Sequence, residues 1–191
     1  LDFVLHKETD VEFVINKVAH DISNFGFKAI CEHTEKMTGI TSVLKLQGPL
    51  YDRRERTLSS LRIEVSTREH VALEPAWREI VPLYNDLQPY IICVMQLEEI
   101  FAEKVRAIMT RTKARDVYDL WFLLKKGVML NQNLAAKKLE YYGKSWNLKD
   151  FHKKISIIER LWRNELGPLV LALPEFTEVK RYILEKVPGR A

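Results

Sequence analysis

The sequence predicts an α+β fold, in which a strand-rich N-terminal half precedes a helical C-terminal half. Before residue 97, short stretches of alternating apolar and polar residues are separated by glycine and proline, as in strands joined by turns. From residue 97 onward, apolar residues recur three or four positions apart, as in amphipathic helices. Because strands and helices are segregated along the chain, α+β is favoured over a regular βαβ alternation. We therefore expect two regions, residues 1–96 and 97–191.

Composition limits the function classes. The chain has 191 residues, of which 47% are hydrophobic and 29% charged, so disordered and collagen-like classes are excluded. The longest apolar runs are far shorter than the roughly 20 residues of a membrane span, so no membrane association is predicted. Cys31 and Cys93 are too few for a disulfide framework, which makes a reducing cytoplasm the expected location. We expect no histidine close to either cysteine.

The first 67 residues predict four strands and one helix. The helix is predicted to begin with the capping-box spacing of Thr9 and Glu12 and to end at Gly26. A turn is predicted around Gly39, between two of the strands. The predicted strands are 1–6, 27–35, 41–47 and 61–67.

The remaining residues predict little further strand and five helices. Residues 68–90 contain three prolines and predict extended connections, with at most a short strand near Ile80. Residues 91–96 predict a short buried strand. The stretch 97–124 predicts two helices joined by a short basic turn. Three further helices are predicted at 133–143, 148–167 and 174–187, broken by glycine and proline.

Lys104 occupies an unusual position, inside the apolar stripe of the first of these helices. Asp116 and Asp119 share a face of the next helix at spacing i, i+3. An unpaired buried charge costs several kcal/mol, so the placement of the lysine needs a reason. Two interpretations stay open. Lys104 extends its stem along the core and pairs with Glu103, Asp116 or Asp119, or it points into a cleft that binds phosphate.

Asp2 and Glu64 are candidate metal ligands. Each lies on the polar side of an alternating strand. If the two strands are neighbours and in register, the carboxylates approach within roughly 5 Å and can share a divalent cation such as Mg²⁺. The alternative is a pair of solvated strand carboxylates.

Other signals are weaker. The five histidines show no metal-ligand spacing, and the chain contains no GxxxxGK[ST], GxGxxG or GxSxG motif. The net charge of +4 permits contact with nucleic acid, and basic residues cluster in the second half, at 111–115, 125–126, 137–138 and 153–154. Four aromatic residues near lysines either stack on bases or pack in the core. They are Tyr141, Tyr142, Trp146 and Trp162.

Three stretches together resemble the AbiEii/AbiGii family of nucleotidyltransferase-like toxins, which belong to toxin–antitoxin and phage-defence pairs. LDF at 1–3 resembles the end of the family's DLDF, which closes its Gly-Ser and DxD motif. LRIEVS at 61–66 resembles the strand that carries a third carboxylate. LEEIFAEKVRAIMTRTKARDVYDLWFLL at 97–124 resembles the Lys-containing helix and the RDxxDL segment.

The resemblance implies a nucleotidyltransferase-like mixed sheet in residues 1–96 and a helical bundle in 97–191. It further implies transfer of NMP from an NTP to an RNA acceptor, tRNA above all, with Mg²⁺ as cofactor and an antitoxin as protein partner. Whether Asp116 or Asp119 is the working acid stays open. The implied catalytic residues are Lys104, Asp116 and Asp119, the metal ligands are Asp2 and Glu64, and the phosphate-binding residues are Lys104, Arg111, Lys113 and Arg115.

The sequence departs from the family pattern at two places. The Gly-Ser turn and the first aspartate of DxD would immediately precede Leu1, so this stretch alone is predicted to have little or no transferase activity, as part of a longer protein or as a degenerate domain. Glu64 stands where aspartate is commoner, which lengthens the ligand arm by one methylene. The alternative function is a non-catalytic RNA- or protein-binding module of the same fold.

Overall fold

The computed structural model describes residues 2–5 and 8–187, and of Asp2 it describes the backbone alone. Leu1 and His6, which belong to the first predicted strand, lie outside the described residues. The chain forms two compact units, the first ending at Val71 and the second beginning at Ala72. The predicted division after residue 96 stays a prediction. It separates a catalytic core from a helical region, whereas the compact units are defined by packing alone.

The first unit is a mixed four-stranded sheet with one helix packed against it. Its strands lie in the order β1-β4-β3-β2, with β1 parallel to β4 and the other pairs antiparallel. Apolar residues of the helix and of the two central strands β3 and β4 form its core, namely Val11, Ile15, Ala19, Leu44 and Ile63. The elements are β1 (Asp2–Val4), α1 (Val11–Asn24), β2 (Ala29–Lys36), β3 (Gly39–Leu46) and β4 (Ser59–Ser66).

Local chemistry sets the ends of α1. Asp10 is the N-cap, and its Oδ1 accepts a hydrogen bond from the backbone N–H of Phe13 at 2.9 Å. The predicted capping box of Thr9 and Glu12 is therefore wrong, because the neighbouring aspartate takes the capping role. The predicted stop at Gly26 is confirmed, since this glycine has a φ of 88°, a conformation that other residues rarely adopt.

The second unit contains a two-stranded antiparallel sheet and a bundle of five helices. The prediction that residues 91–96 form a strand is confirmed by β6, but the prediction that this strand is buried is wrong. Tyr90 and Ile91 are 52% and 67% exposed, because β6 pairs with β5 alone and belongs to a hairpin. The elements are β5 (Ala76–Ile80), β6 (Tyr90–Val94), α2 (Leu97–Thr110), α3 (Ala114–Lys125), α4 (Gln132–Glu140), α5 (Leu148–Leu166) and α6 (Phe176–Lys186).

The bundle has one continuous apolar core, to which all five helices contribute. Trp162 is 2% exposed, and its indole N–H donates to the carbonyl oxygen of Pro174 at 2.9 Å. Trp146 packs against Phe151 with ring centroids 5.3 Å apart. Trp162 thus belongs to the core and the partly buried Trp146 packs against it, so both tryptophans favour the core alternative over base stacking. The α+β class is confirmed by the mixed sheet and the helical bundle.

None of the helices within 8–187 combines the length and the apolar character that a membrane crossing requires.

Candidate functional site

The pairing of α2 with α3 places the charged residues predicted from the sequence. Both helices bury an apolar face in the same core, and the linker between them consists of residues 111–113 alone. Such a short linker makes the helices neighbours, and the packed faces bring the middle of α2 against the first turns of α3. Lys104 on α2 therefore reaches the two aspartates of α3.

Lys104 is held by both aspartates. Its Nζ lies 2.6 Å from Oδ2 of Asp119 and 3.9 Å from Oδ1 of Asp116, and its side chain is 26% exposed. Glu103, the other partner considered from the sequence, instead contacts Arg106 and Lys138. The lysine is thus neither fully buried nor fully solvated, and its charge is balanced within the α2–α3 pair.

The two aspartates lie in different environments. The side chain of Asp116 is fully buried and accepts two hydrogen bonds of 2.8 Å from Nε and Nη2 of Arg111. Such a bidentate pair is short, planar and among the stronger ionic contacts in proteins. Asp119 is 41% exposed, and its carboxylate pairs with Lys104. The first carboxylate is fixed by the fold, whereas the second faces water.

The three basic residues of the linker and the start of α3 also differ. Arg111 is 46% exposed and already commits two of its five N–H donors to Asp116. Lys113 lies 3.7 Å from Glu165, whose other carboxylate oxygen accepts the backbone N–H of Ala114 at 2.8 Å and so caps α3. Arg115 is exposed and has no ion pair within the described ranges. Arg115 is therefore the most available of the three for a phosphate.

In the first unit, the register aligns the two predicted metal ligands. Asp2 of β1 pairs with Glu64 of β4 in the parallel register, and neighbouring strands lie about 4.8 Å apart. The condition set by the sequence, that the two strands be neighbours and in register, is met by the backbone. Glu64 accepts hydrogen bonds from Nε and Nη2 of Arg62 at 3.0 and 2.5 Å. Among the described residues, no group of three or more histidine, cysteine or acidic side chains is placed to hold a metal ion.

A protein-family model described as "Nucleotidyl transferase AbiEii toxin, Type IV TA system" matches residues 1–184 of the chain. The chain belongs to the AbiEii family. The resemblance seen in the sequence is therefore confirmed, and the match extends through the C-terminal helices. The family is one of nucleotidyl transferase toxins of type IV toxin–antitoxin systems, which implies a nucleotide substrate and an antitoxin partner. No curated protein and no solved structure matches the chain significantly.

The AbiEii chain also contains a buried ionic network that the sequence did not reveal. Lys138 of α4 is 1% exposed and lies 2.5 Å from Glu99 and 3.1 Å from Glu103, both on α2. Glu99 is fully buried and also accepts the backbone N–H groups of Ala72 and Leu73 at 2.7 and 2.9 Å. The Lys137–Lys138 pair is therefore a poorer candidate for polyanion contact than its sequence indicates, because one lysine is inside the protein.

The pKa of Glu99 reflects this setting. Burial raises this pKa, but the hydrogen bonds from Lys138 and from the two backbone N–H groups together lower it by more. The pKa of Glu99 therefore lies below its usual value. The carboxylate thus remains charged inside the protein. Glu99 follows Glu98 in the first turn of α2, where acidic residues are usually exposed, so the sequence carried no signal for this network.

A cysteine and a histidine also approach each other in the first unit, contrary to the prediction. Cys31 and His33 lie on the same face of β2, with Sγ 3.9 Å from Nδ1. The histidine ring also contacts the buried Ser42 hydroxyl at 2.9 Å and Asn16 of α1 at 3.2 Å. Burial and two nearby glutamates raise the pKa of the Cys31 thiol, which disfavours the nucleophilic thiolate. The cluster ties α1 to the sheet and is poorly suited to nucleophilic catalysis.

Proposed function

We propose that this AbiEii-family toxin transfers a nucleoside monophosphate from an NTP to an RNA, with the acceptor end of tRNA as the substrate class. The observation that carries the proposal is the partly exposed Lys104 ammonium, balanced by two carboxylates, in a chain that belongs to a nucleotidyl transferase family. A toxin with this activity acts where tRNA is charged, so we propose a cytoplasmic location. The division into a core at 1–96 and a helical region at 97–191 is part of the proposal.

In this reaction, an RNA hydroxyl oxygen attacks the α-phosphorus of the NTP. The bond from that phosphorus to the bridging oxygen breaks, pyrophosphate leaves, and the proton of the hydroxyl passes to a base or to water. Negative charge accumulates on the leaving phosphates. The role of Lys104 is to neutralise this charge, since a positioned ammonium in a partly dry setting stabilises it far better than water does.

The metal role falls to Asp2 and Glu64. Carboxylate oxygens are what Mg²⁺ prefers, and it takes one or two of them with water and substrate phosphates in the remaining positions. The backbone register of β1 and β4 is compatible with such a pair. When bound, Mg²⁺ lowers the pKa of an attacking hydroxyl and offsets charge on the phosphates. The Glu64 carboxylate is paired with Arg62, and this ion pair would have to break before Glu64 could bind a metal ion.

RNA contact is proposed for the basic residues at the start of α3. Arg115 is exposed, and the side chain of Arg111 is 46% exposed beside Asp116. Lys113 contributes charge next to them. Binding through phosphates releases counterions, so the affinity for tRNA should fall steeply as the salt concentration rises.

The test is a transfer assay with the full-length protein. Each labelled NTP is incubated with Mg²⁺ and bulk tRNA, in parallel with Lys104→Ala and with Glu159→Gln, an exposed acid on α5 that serves as a control. We expect one NTP to label tRNA with the wild type and the control, and the Lys104 variant to lose at least about 100-fold in rate, as expected for a charge-stabilising group.

Two outcomes decide against the proposal. No incorporation from any NTP by a folded protein would favour the non-catalytic binding module. Binding of tRNA to the protein would then indicate an RNA partner, and its absence a protein partner. Normal transfer by Glu64→Ala in Mg²⁺ would leave the transferase in place and overturn the metal role of that residue.

A further inference from the structure

The two aspartates of α3 differ in how easily each can release its cation. Asp116 is fully buried and takes two hydrogen bonds from Arg111, so separating that pair would leave a buried charge without a partner. Asp119 is 41% exposed and holds the ammonium of Lys104 through a single contact of 2.6 Å. Because this pair is partly exposed, separating it costs less free energy than separating the buried pair.

The net charge of the cluster depends on Asp119. Lys104 and Arg111 carry two positive charges, and Asp116 and Asp119 carry two negative charges, so the cluster is neutral while all four are in contact. If Asp119 turns into water, the remaining three groups carry a net charge of +1, and Lys104 still lies 3.9 Å from Asp116. The Lys104 ammonium then keeps its position, and the positive charge of the cluster can be balanced by a bound anion.

We propose that Asp119 is an internal competitor for the phosphate that Lys104 binds. In the unliganded protein its carboxylate occupies the ammonium, and an incoming polyphosphate displaces it into water. Asp116 is a positioning residue that stays in place and keeps Lys104 at the same point on α2. This inference rests on the proposed function, because it identifies the ligand of Lys104 as the triphosphate of the nucleotide. It also assigns different roles to two acids that the sequence could not separate.

The test is binding of inorganic tripolyphosphate to the full-length protein, measured by titration calorimetry at low salt with EDTA present. Asp119→Asn keeps the shape of the side chain and removes its charge. We expect this variant to bind tripolyphosphate about three- to tenfold more tightly than the wild type, since a partly exposed ion pair no longer competes. Glu159→Gln removes the same charge from an exposed position in the middle of α5 and should change the affinity by less than about twofold.

A second variant checks that the gain comes from Lys104. In Asp119→Asn/Lys104→Met, the tighter binding should disappear. Equal or weaker binding by Asp119→Asn, retention of the gain without Lys104, or no tripolyphosphate binding by any variant would each overturn the inference. Tighter binding by Asp119→Asn in a protein that transfers no nucleotide to RNA would leave the inference standing and overturn the proposed transfer.

Discussion

Replacing Glu99 by glutamine should destabilise the helical unit strongly. Glu99 is fully buried, and its carboxylate has three short contacts, with Lys138 at 2.5 Å and with the backbone N–H groups of Ala72 and Leu73 at 2.7 and 2.9 Å. Glutamine of nearly the same size removes the charge and presents an amide NH₂ to groups that can only donate hydrogen bonds. The buried ammonium of Lys138 then loses its nearest anion.

The magnitude follows from the burial of both partners. Breaking a buried ion pair by removing one charge costs about 3–5 kcal/mol. Glu103 remains 3.1 Å from the Lys138 ammonium, so the lower end of this range, about 3 kcal/mol, applies. For a unit of this size, the loss corresponds to a fall in Tm of about 10 °C or more.

The assay is urea unfolding followed by tryptophan fluorescence. All four tryptophans lie in the second unit, so the signal reports on the unit that contains Glu99. Glu98→Gln is the matched control, because Glu98 is exposed and lies in the same first turn of α2. Its loss should be about 0.5 kcal/mol, which is its interaction with the helix dipole.

A double variant separates charge burial from packing. In Glu99→Gln/Lys138→Met, the buried ammonium and its nearest carboxylate are both gone and Glu103 keeps Arg106 as a partner, so much of the lost stability should return, as observed when buried pairs are replaced by apolar groups. A Glu99→Gln variant as stable as Glu98→Gln, or a double variant less stable than Glu99→Gln, would contradict a stabilising role of the Glu99–Lys138 contact.

Three further predictions concern local features of the structure. Gly39→Ala should destabilise the first unit by about 2 kcal/mol or more in chemical unfolding followed by far-UV circular dichroism, because Gly39 has a φ of 148° and an added Cβ would collide with the carbonyl oxygen of Val65. Cys93 should react with a thiol reagent at pH 7.5 before Cys31, because Cys93 is exposed and the raised pKa of Cys31 lowers its thiolate fraction. Equal reaction rates of the two thiols, or loss of the faster reaction in a Cys31→Ser variant, would contradict this order. The pKa of Glu99 is lowered in the folded state, so its contribution to stability should be complete above its unfolded pKa of about 4.3 and lost as the pH falls through the folded pKa; an unfolding series from pH 7 to 2 should therefore decline more steeply for the wild type than for Glu99→Gln.

Residues that act through their near neighbours in sequence were predicted with the greatest accuracy. The helical spacing of 97–124 correctly predicts α2, α3 and the basic linker between them, and Gly26 ends α1 as predicted. The proximity of Lys104 to the aspartates of α3 could also be predicted from the sequence. Two consecutive amphipathic helices joined by three residues have few ways to pack, so polar groups at the edges of their apolar faces must meet.

Other features depend on contacts between distant parts of the chain. A short apolar stretch such as 91–96 does not show whether a strand lies inside a sheet or in an exposed hairpin, and β6 proved to be the latter. Cys31 and His33 share a face of the predicted strand 27–35, so their proximity could have been inferred from strand alternation, whereas the contacts of His33 with Ser42 and Asn16 on other elements could not.

By itself, the sequence determined the α+β class, the family, and the set of charged residues from which the chemistry is proposed, because periodicity and local motifs are properties of neighbouring residues. Only the tertiary structure decided how those charges are shared. It buries Asp116 against Arg111, leaves Asp119 in contact with water and Lys104, and encloses Lys138 beside Glu99. The physical reason is that the energy of a charge depends on its burial and its partners, and these are set when α2, α3 and α4 pack around one core.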